Sequence, residues 1–321
     1  MGSNLVDSGH LLDSNATSAP VRLHPKSTMR RALNATPNSG HLPQPAGLEA
    51  LSDLLRGCRR IAALTGAGCS TCSGIPDYRN ADGDWKHSRP VLYPDFVASA
   101  EVRRRYWGRS LVGWPRFAAA LPNPAHRALA ELERRGLLAS IVTQNVDRLH
   151  QSAGSQDVID LHGRLDQVRC LGCDTRLPRA DWQAQLGRAN PDWSGTIAQP
   201  APDGDAIPAS DDYSEFQVPG CPACNGIVKP DVVFYGEAVP ADVGRAARLA
   251  LEQSDALLVV GSSLMVYSGF SLVRDAAAAG KPVAAINIGR TRADTLFRAH
   301  WREDCAVALP LLVGALCPAS R

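Results

Sequence analysis

The stretch RIAALTGAGCSTCSGIPDYR, residues 60–79, decides the fold of this chain. Its apolar run IAAL breaks at once into a loop with three glycines, an order that predicts a strand followed by a turn that opens a helix. Such a turn can cradle phosphate, because glycines let the backbone approach a pyrophosphate and a helix start presents N–H groups to it. Asp77 and Arg79 follow directly, and a turn without a ligand needs neither. The spacing alone still leaves a ligand-free turn as an alternative.

Length and charge indicate a folded, enzyme-sized protein and argue against two kinds of partner. The chain has 321 residues, of which 45% are hydrophobic, and a net charge of +2 from 34 basic and 32 acidic residues. A balance this close to neutral predicts no nucleic-acid partner and no membrane partner. Because there is no apolar run of about 20 residues and no secretory signal, we expect a soluble, cytoplasmic protein, and we expect a monomer.

Residues 1–45 differ from the rest, because they are rich in Ser, Pro, Asn and His and show no helical or strand period. They are predicted to form a disordered tail. The tail carries four basic residues against two acidic ones. This composition leaves a mitochondrial transit peptide as an alternative, which would move the protein to the mitochondrion.

After the tail, helix and strand patterns alternate. Asn123 and Pro124 predict a helix start and Gly136 its end, and the apolar strands ASIVT and DVIDL follow. This order predicts an α/β fold, a doubly wound, Rossmann-like parallel sheet with a smaller inserted zinc-binding and helical module. We place the boundaries at a tail (1–45) and a folded domain (46–317) composed of a Rossmann-like part (46–79, 122–165 and 229–317), a helical module (80–121) and a zinc module (166–228).

Polar residues follow the predicted strands at the point where each strand ends. They are Thr65-Gly66, Gln144-Asn145, His162, Gly261-Ser262-Ser263 and Asn287. Since ligands of open parallel sheets bind at the carboxyl ends of the strands, these residues are expected to meet at one site. A lone histidine is more often structural, but His162 at a strand end, followed by glycine, is a credible general base.

Four of the nine cysteines form two Cys-x-x-Cys pairs, Cys170 with Cys173 and Cys221 with Cys224. Four thiolates satisfy a tetrahedral zinc without a further ligand, so we predict one structural zinc. Two redox-active dithiols, or free buried cysteines, are the alternative reading.

Several motifs occur in an order that resembles a known family. They are TGAGCSTCSGIPDYR, TQNVDRLH, LHG, the two Cys-x-x-Cys pairs, KPDVVFYGE, VVGSSLMVYS and INIG. Together they resemble the sirtuins, which are NAD-dependent protein-lysine deacylases, over roughly residues 46–317. Further stretches, including RRRYWGRSLVGWPRF and NPAHRAL, are similar to the class II branch of that family.

The resemblance implies a role for each matching residue toward NAD, which serves as a co-substrate. It implies that the pyrophosphate is held by Gly66, Ala67, Gly68 and Ser70, and that nicotinamide is bound by Ile75, Asp77, Asn145 and Asp147. Tyr78, Arg79 and Gln144 would contact the cofactor near its ribose and phosphate. The adenosine half would lie against Gly261, Ser262, Ser263, Asn287 and the backbone of Cys305.

The resemblance also implies the catalytic and substrate-binding residues. His162 would act as general base, and Asn145 would also take part in catalysis. Val233 and Phe234 would pair with the backbone of an acyl-lysine protein or peptide, while Tyr235 and Gly236 line the lysine tunnel. The products would be free lysine, nicotinamide and O-acyl-ADP-ribose.

The sequence leaves alternatives open for the acyl group and for the class of reaction. Sirtuins that remove succinyl groups carry a Tyr and an Arg at fixed spacing, and residues 82–96 do not match that pattern, so we expect acetyl or a longer neutral acyl group. The alternative functions are protein mono-ADP-ribosylation on the same fold, an NAD(P) oxidoreductase, and a zinc-ribbon module for nucleic acid. The near-neutral charge argues against the last of these.

Overall fold

The computed structural model describes residues 47–86, 90–193, 197–200, 202, 204–208 and 212–317. All of these residues belong to one compact unit. The predicted disordered tail, 1–45, lies outside the described residues. The boundaries of the three predicted modules stay predictions.

The helices and strands follow the predicted alternation. The helices are α1 (Leu48–Arg56), α2 (Tyr93–Ala98), α3 (Ala100–Ala118), α4 (Pro124–Arg134), α5 (Leu149–Ser152), α6 (Arg179–Ala189), α7 (Ala241–Glu252), α8 (Tyr267–Ala278) and α9 (Cys305–Leu316). The strands are β1 (Ile61–Thr65), β2 (Leu138–Thr143), β3 (Val158–Asp160), β4 (Gly163–Cys170), β5 (Arg176–Pro178), β6 (Ile197–Pro200), β7 (Ala206–Pro208), β8 (Val228–Val232), β9 (Ala256–Val260), β10 (Val283–Ile286) and β11 (Ala299–Trp301). None of these helices, in the ranges given above, is long and apolar enough to cross a membrane.

Six strands form one parallel sheet in the order β11-β10-β9-β1-β2-β3. The chain runs outward in one direction from β1 to β3 and in the other from β9 to β11, so the predicted doubly wound, Rossmann-like sheet is confirmed. The order reverses between β1 and β9, and this switch point is where such sheets bind ligands. The strand β11, only three residues long, was not predicted.

The central strand β1 is buried on both faces and divides the core in two. Ile61 and Ala63 pack in a cluster with leucines of α1, α4 and α9, including Leu55. The alternate residues Ala62 and Leu64 pack on the opposite face with leucines of α7 and α8. Burial on both faces explains why β1 reads as a continuous apolar run rather than as an alternating one.

The segment after β1 differs from the prediction. A helix was expected there, but two short 3₁₀ turns form instead, Ala67–Cys69 and Thr71–Ser73. They end at Gly74, whose φ of 81° lies in the left-handed region that glycine adopts without strain. The loop therefore presents no long helix dipole, and its binding capacity rests on individual N–H groups and side chains.

The predicted start of α4 is confirmed in detail. The Asn123 side chain accepts a hydrogen bond from the N–H of Ala125, and Pro124 occupies the first turn. The His126 side chain bonds back to the Asn123 N–H, completing a capping box. Gly136 follows the helix with a φ of 75°, as a terminating glycine does.

A second, antiparallel sheet in the order β5-β4-β8 carries the smaller part of the fold. Its core is aromatic and contains Trp107 of α3 and Trp182 of α6, both fully buried. Residues 80–121, predicted to be a helical module, contain α2 and the 19-residue α3. The hairpin of β6 and β7 is a separate two-stranded sheet.

Candidate active site

A cavity of about 710 Å³ opens at the carboxyl edge of the large sheet, beside the switch point between β1 and β9. All the predicted cofactor, catalytic and substrate residues line it. They are Gly66, Ala67, Gly68, Ser70, Ile75, Asp77, Tyr78, Arg79, Gln144, Asn145, Asp147, His162, Val233, Phe234, Tyr235, Gly236, Gly261, Ser262, Ser263, Asn287 and Cys305. Thr65 is the exception among the strand-end residues, because it is fully buried and donates to Thr143 Oγ1 at 2.8 Å.

The glycine loop after β1 packs directly on the loop after β9. The N–H of Gly68 donates to the carbonyl oxygen of Gly261 at 2.8 Å, and a Cβ at Gly68 would lie 2.9 Å from that oxygen. A Cβ at Gly66 would lie 2.8 Å from the Cβ of Ser262. These glycines therefore have a packing reason as well as the phosphate-binding reason inferred from sequence.

The three polar residues Ser70, Asn145 and Asp147 form one hydrogen-bonded group. The Ser70 hydroxyl donates to an Asp147 carboxylate oxygen at 2.6 Å. The Asn145 amide donates to Ser70 Oγ at 3.1 Å and to the carbonyl oxygen of Gly66 at 3.0 Å. Burial raises the pKa of Asp147. The group joins the loop after β1 to the segment after β2 and fixes both at the cavity wall.

Two buried histidines that were not predicted as site residues lie next to this group. His126 Nε2 lies 3.4 Å from Ser70 Oγ, and His150 Nε2 lies 2.9 Å from Thr65 Oγ1. Burial lowers their pKa values, to about 4 for His126 and to about 3 for His150. Both rings are therefore neutral near pH 7. The capping-box position of His126 was the sequence signal that could have identified it.

His162 lies at the end of β3 with both ring nitrogens engaged. Its Nδ1 is 3.1 Å from the backbone oxygen of Gln144, and because a carbonyl can only accept, Nδ1 carries the proton. Nε2 therefore holds a lone pair, which accepts a hydrogen bond from the Ser268 hydroxyl at 2.7 Å. Burial lowers the pKa of His162 to about 4. The ring is thus a neutral base with its basic nitrogen toward Ser268, a residue that was not predicted.

The Gln144 side chain ties β2 to the loop after β9. Its amide donates to Ser262 Oγ at 2.8 Å and to the backbone oxygen of Thr65 at 3.2 Å. A Cβ at Gly269, at the start of α8, would lie 2.6 Å from Gln144 Oε1, so a side chain at this position would displace the amide.

The charged residues of the opening stretch have partners within the chain. Asp77 pairs with Lys86, with 2.5 Å between Oδ1 and Nζ. The Arg79 guanidinium donates to the backbone oxygen of Gly83 and lies 3.9 Å from the centroid of the Trp85 ring. Both residues still line the cavity. The loop of residues 80–86 therefore folds back over both side chains.

The predicted substrate segment follows β8. The N–H of Val233 already donates to the backbone oxygen of His162 at 2.8 Å, and the N–H of Phe234 donates to the Glu237 carboxylate at 2.9 Å. Glu237 is held in turn by the buried Lys229, at 3.1 Å. An added substrate strand cannot use these two N–H groups while the bonds persist, so the predicted pairing would have to use other backbone atoms.

A deeper part of the cavity is built by residues that were not predicted as site residues. Tyr106 and Arg109 reach it from one face of α3, and Asp205 reaches it from the β6–β7 hairpin. Residues 82–96 do not match the Tyr and Arg pattern, whereas the structure brings a Tyr and an Arg to the cavity from α3. Their spacing of three residues places both on one helix face and was the available signal.

The four predicted zinc ligands converge, with all sulfurs within 4.8 Å of one another. Tetrahedral bonds of about 2.3 Å separate sulfurs by roughly 3.8 Å, and here Cys170 and Cys224 are 3.5 Å apart and Cys173 and Cys221 3.7 Å. Asp174 and Asn225, at equivalent places after each pair, adopt φ values of 58° and 59°. The two matching turns fit a zinc ion, and none of the four cysteines lines the cavity.

Comparisons with known proteins agree with this geometry. A model of the Sir2 family matches residues 66–268. The chain is 55% identical over 269 residues to NAD-dependent protein deacetylase 2 of Bradyrhizobium diazoefficiens, covering 84% of this chain and 98% of the relative. It is 55% identical over 267 residues to the NAD-dependent protein deacetylase of Bordetella bronchiseptica, covering 83% and 97%. A solved structure of Sir2 with p53 peptide and NAD⁺ aligns with a TM-score of 0.65 at 31% identity, covering 82% of this chain and 95% of that one.

Proposed function

This chain belongs to the Sir2 family, and from that premise we propose that it is an NAD-dependent protein-lysine deacylase. NAD is its co-substrate: the acyl oxygen of a modified lysine attacks the ribose carbon as nicotinamide leaves. One water is consumed, and the products are free lysine, nicotinamide and O-acyl-ADP-ribose. The acyl-lysine side chain belongs to a protein or peptide, which the family's peptide-bound structure supports.

The observation that carries this proposal is the state of His162. Its Nε2 has a free electron pair, its pKa is lowered to about 4, and it lies in the same cavity as the residues matched to NAD. A neutral imidazole at pH 7 can take a proton from a ribose hydroxyl. When the substrates are bound, the ribose hydroxyl would replace the Ser268 hydroxyl as the hydrogen-bond partner of His162 Nε2.

The remaining predicted residues would orient the co-substrate and exclude water. The N–H groups and hydroxyl of the loop at Gly66–Ser70 would hold the pyrophosphate. Asn145, Asp147, Ile75 and Asp77 would surround nicotinamide, which requires Asp77 to exchange Lys86 for the nicotinamide amide. The loops after β9 and β10, with Cys305 at the start of α9, would hold the adenosine half.

Zinc would be structural, held by Cys170, Cys173, Cys221 and Cys224 away from the cavity. Its role would be to fix the ends of β4 and β8. The bacterial origin of the curated relatives supports a cytoplasmic location over a mitochondrial one. A monomer without nucleic-acid or membrane partners, and membership of the class II branch, also belong to this proposal.

The test is incubation with NAD and a panel of acyl-lysine peptides, with nicotinamide, O-acyl-ADP-ribose and ADP-ribosylated protein resolved separately. We expect peptide-dependent release of nicotinamide and O-acyl-ADP-ribose in equal amounts. Nicotinamide release with label on protein would instead indicate mono-ADP-ribosylation. His162→Ala should abolish product formation while retaining NAD binding, measured by calorimetry. Unchanged turnover in this variant would refute the role of His162.

A further inference from the structure

The Arg109 guanidinium, at the deep end of the cavity, is bound by one neighbouring segment. Its Nε and Nη2 donate to the two carboxylate oxygens of Asp205, at 2.9 and 2.7 Å. Nε also donates to the backbone oxygen of Ala206 at 3.0 Å. This is a two-pronged pair of the kind that fixes geometry as well as charge. Arg109 therefore presents no unopposed positive charge to the cavity.

The segment that carries Asp205 is locked against α3. A Cβ at Gly113 would collide with the backbone of Gly204 and Asp205, so the helix and the β6–β7 hairpin touch backbone to backbone. Gly204 has a φ of 67°, and the N–H of Ala206 donates to Asp205 Oδ1 at 2.8 Å. The position of the carboxylate is thus set by the backbone packing of the hairpin on α3 and by the hydrogen bond from Ala206.

The pair and His162 line the same cavity. β4 starts at the residue after His162, and Leu165, two residues further on, lines that cavity too. At about 3.3 Å per residue of extended chain, Leu165 lies at most roughly 10 Å from His162. A Cβ at Gly204 would lie 3.0 Å from Leu165 Cδ2, so the hairpin meets the cavity at this depth.

We propose that Asp205 determines acyl selectivity: by neutralising Arg109 it makes the deep end of the cavity accept uncharged acyl groups and reject those that end in a carboxylate. The inference rests on the deacylase function proposed above. An acyl carboxylate that is buried here needs an unpaired cation, and Arg109 is already paired with Asp205. The negative charge of Asp205 also repels a second carboxylate beside it. Tyr106 and the apolar side chains of Phe117 and Leu165, which line the same region, suit a neutral chain.

The test compares butyryl-lysine and succinyl-lysine peptides, whose acyl groups have four carbons and differ in a terminal methyl or carboxylate. The wild type should remove butyryl with the higher kcat/KM. Asp205→Asn keeps the side-chain shape and frees the charge of Arg109, so the succinyl-to-butyryl ratio of kcat/KM should rise roughly tenfold or more. Adding Arg109→Gln to this variant should remove the gain.

Asp166→Asn is the matched control, because Asp166 also forms a two-pronged pair, with Arg164 at 2.6 Å, but neither residue lines the cavity. Its ratio should equal that of the wild type. An unchanged ratio in Asp205→Asn, or in Asp205→Ser should the first variant not fold, would overturn the inference, as would a wild type that removes succinyl as fast as butyryl. Absence of NAD-dependent removal of every acyl group by the wild type would instead show that the proposed function itself fails.

Discussion

The His162 ring acts as a base only if one of its nitrogens keeps an electron pair toward the cavity. The backbone oxygen of Gln144 decides this, because it forces the proton onto Nδ1. The Ser268 hydroxyl then holds the ring in place through Nε2. Sequence indicated His162 as the base but could not indicate its tautomer, since the two partners lie 18 and 106 residues away.

Ser268→Ala should lower kcat/KM by roughly three- to tenfold, because the ring of the free enzyme loses one of its two positioning bonds. The neutral imidazole also loses a hydrogen bond, so the acid limb of the kcat/KM profile, which reports the free enzyme, should move to higher pH. Steady-state kinetics between pH 5 and 8 would measure both effects. Ser271→Ala, on the same helix but outside the cavity lining, should leave kcat/KM and its pH profile unchanged; equal profiles for the two variants would contradict the positioning role of Ser268.

Between elements, the contact of α3 with the β6–β7 hairpin depends on Gly113. This glycine lies in a helix interior, where glycine is intrinsically unfavourable. Gly113→Ala should therefore destabilise the protein and disturb the acyl end of the cavity, because the added methyl meets the backbone of Gly204. Thermal unfolding and acyl-peptide kinetics would measure the two effects. The matched control is Gly187→Ala in α6, which meets nothing within 4 Å and should gain roughly 0.5–1 kcal/mol of stability from helix propensity. A more stable Gly113→Ala variant would contradict the contact.

The two cysteine turns join β4 to β8, so the antiparallel sheet should depend on zinc. Elemental analysis should give one zinc per chain, and Cys221→Ser should lose it together with thermal stability, because three ligands leave the site open. Cys58→Ser, a change outside the cluster, should retain the metal. Full zinc content in Cys221→Ser would refute the four-cysteine site.

For the molecule as a whole, several buried histidines make stability depend on pH. Burial lowers the pKa of His126, His150 and His162 to about 4, 3 and 4, while in the unfolded chain they titrate near 6.5. Below pH 6.5 the unfolded chain therefore binds more protons than the folded protein, and the free energy of unfolding falls as pH is lowered. Each neutral histidine contributes a slope of about 1.4 kcal/mol per pH unit.

Urea unfolding at pH 7, 6 and 5 would measure this dependence. Burial raises the pKa values of the Asp147 and Asp160 carboxyls, which therefore act in the opposite direction. A free energy of unfolding that stays constant between pH 6.5 and 5 would contradict the buried neutral state of these rings.

Much of the fold could be predicted because its signals are local. The strand β1 and the capped helix α4 are specified by apolar runs, Asn123, Pro124 and Gly136 within a few residues of chain. The 3₁₀ turns after β1 could not be predicted, because the loop is shaped by its contact with Gly261, far away in sequence. Likewise β11, three residues long, is a strand only because β10 lies beside it.

By itself, the sequence determined the parallel sheet, the strand ends that line the cavity, the four zinc ligands and, through its motifs, the family. These depend on periodicity and short spacings, which a chain carries wherever it folds. Only the tertiary structure decided that His162 presents Nε2, that Lys86 pairs with Asp77, and that Asp205 neutralises Arg109. The physical reason is the same for all three features. Burial and hydrogen bonding between distant segments set the charge and the proton position of each group, and no local sequence pattern encodes such contacts.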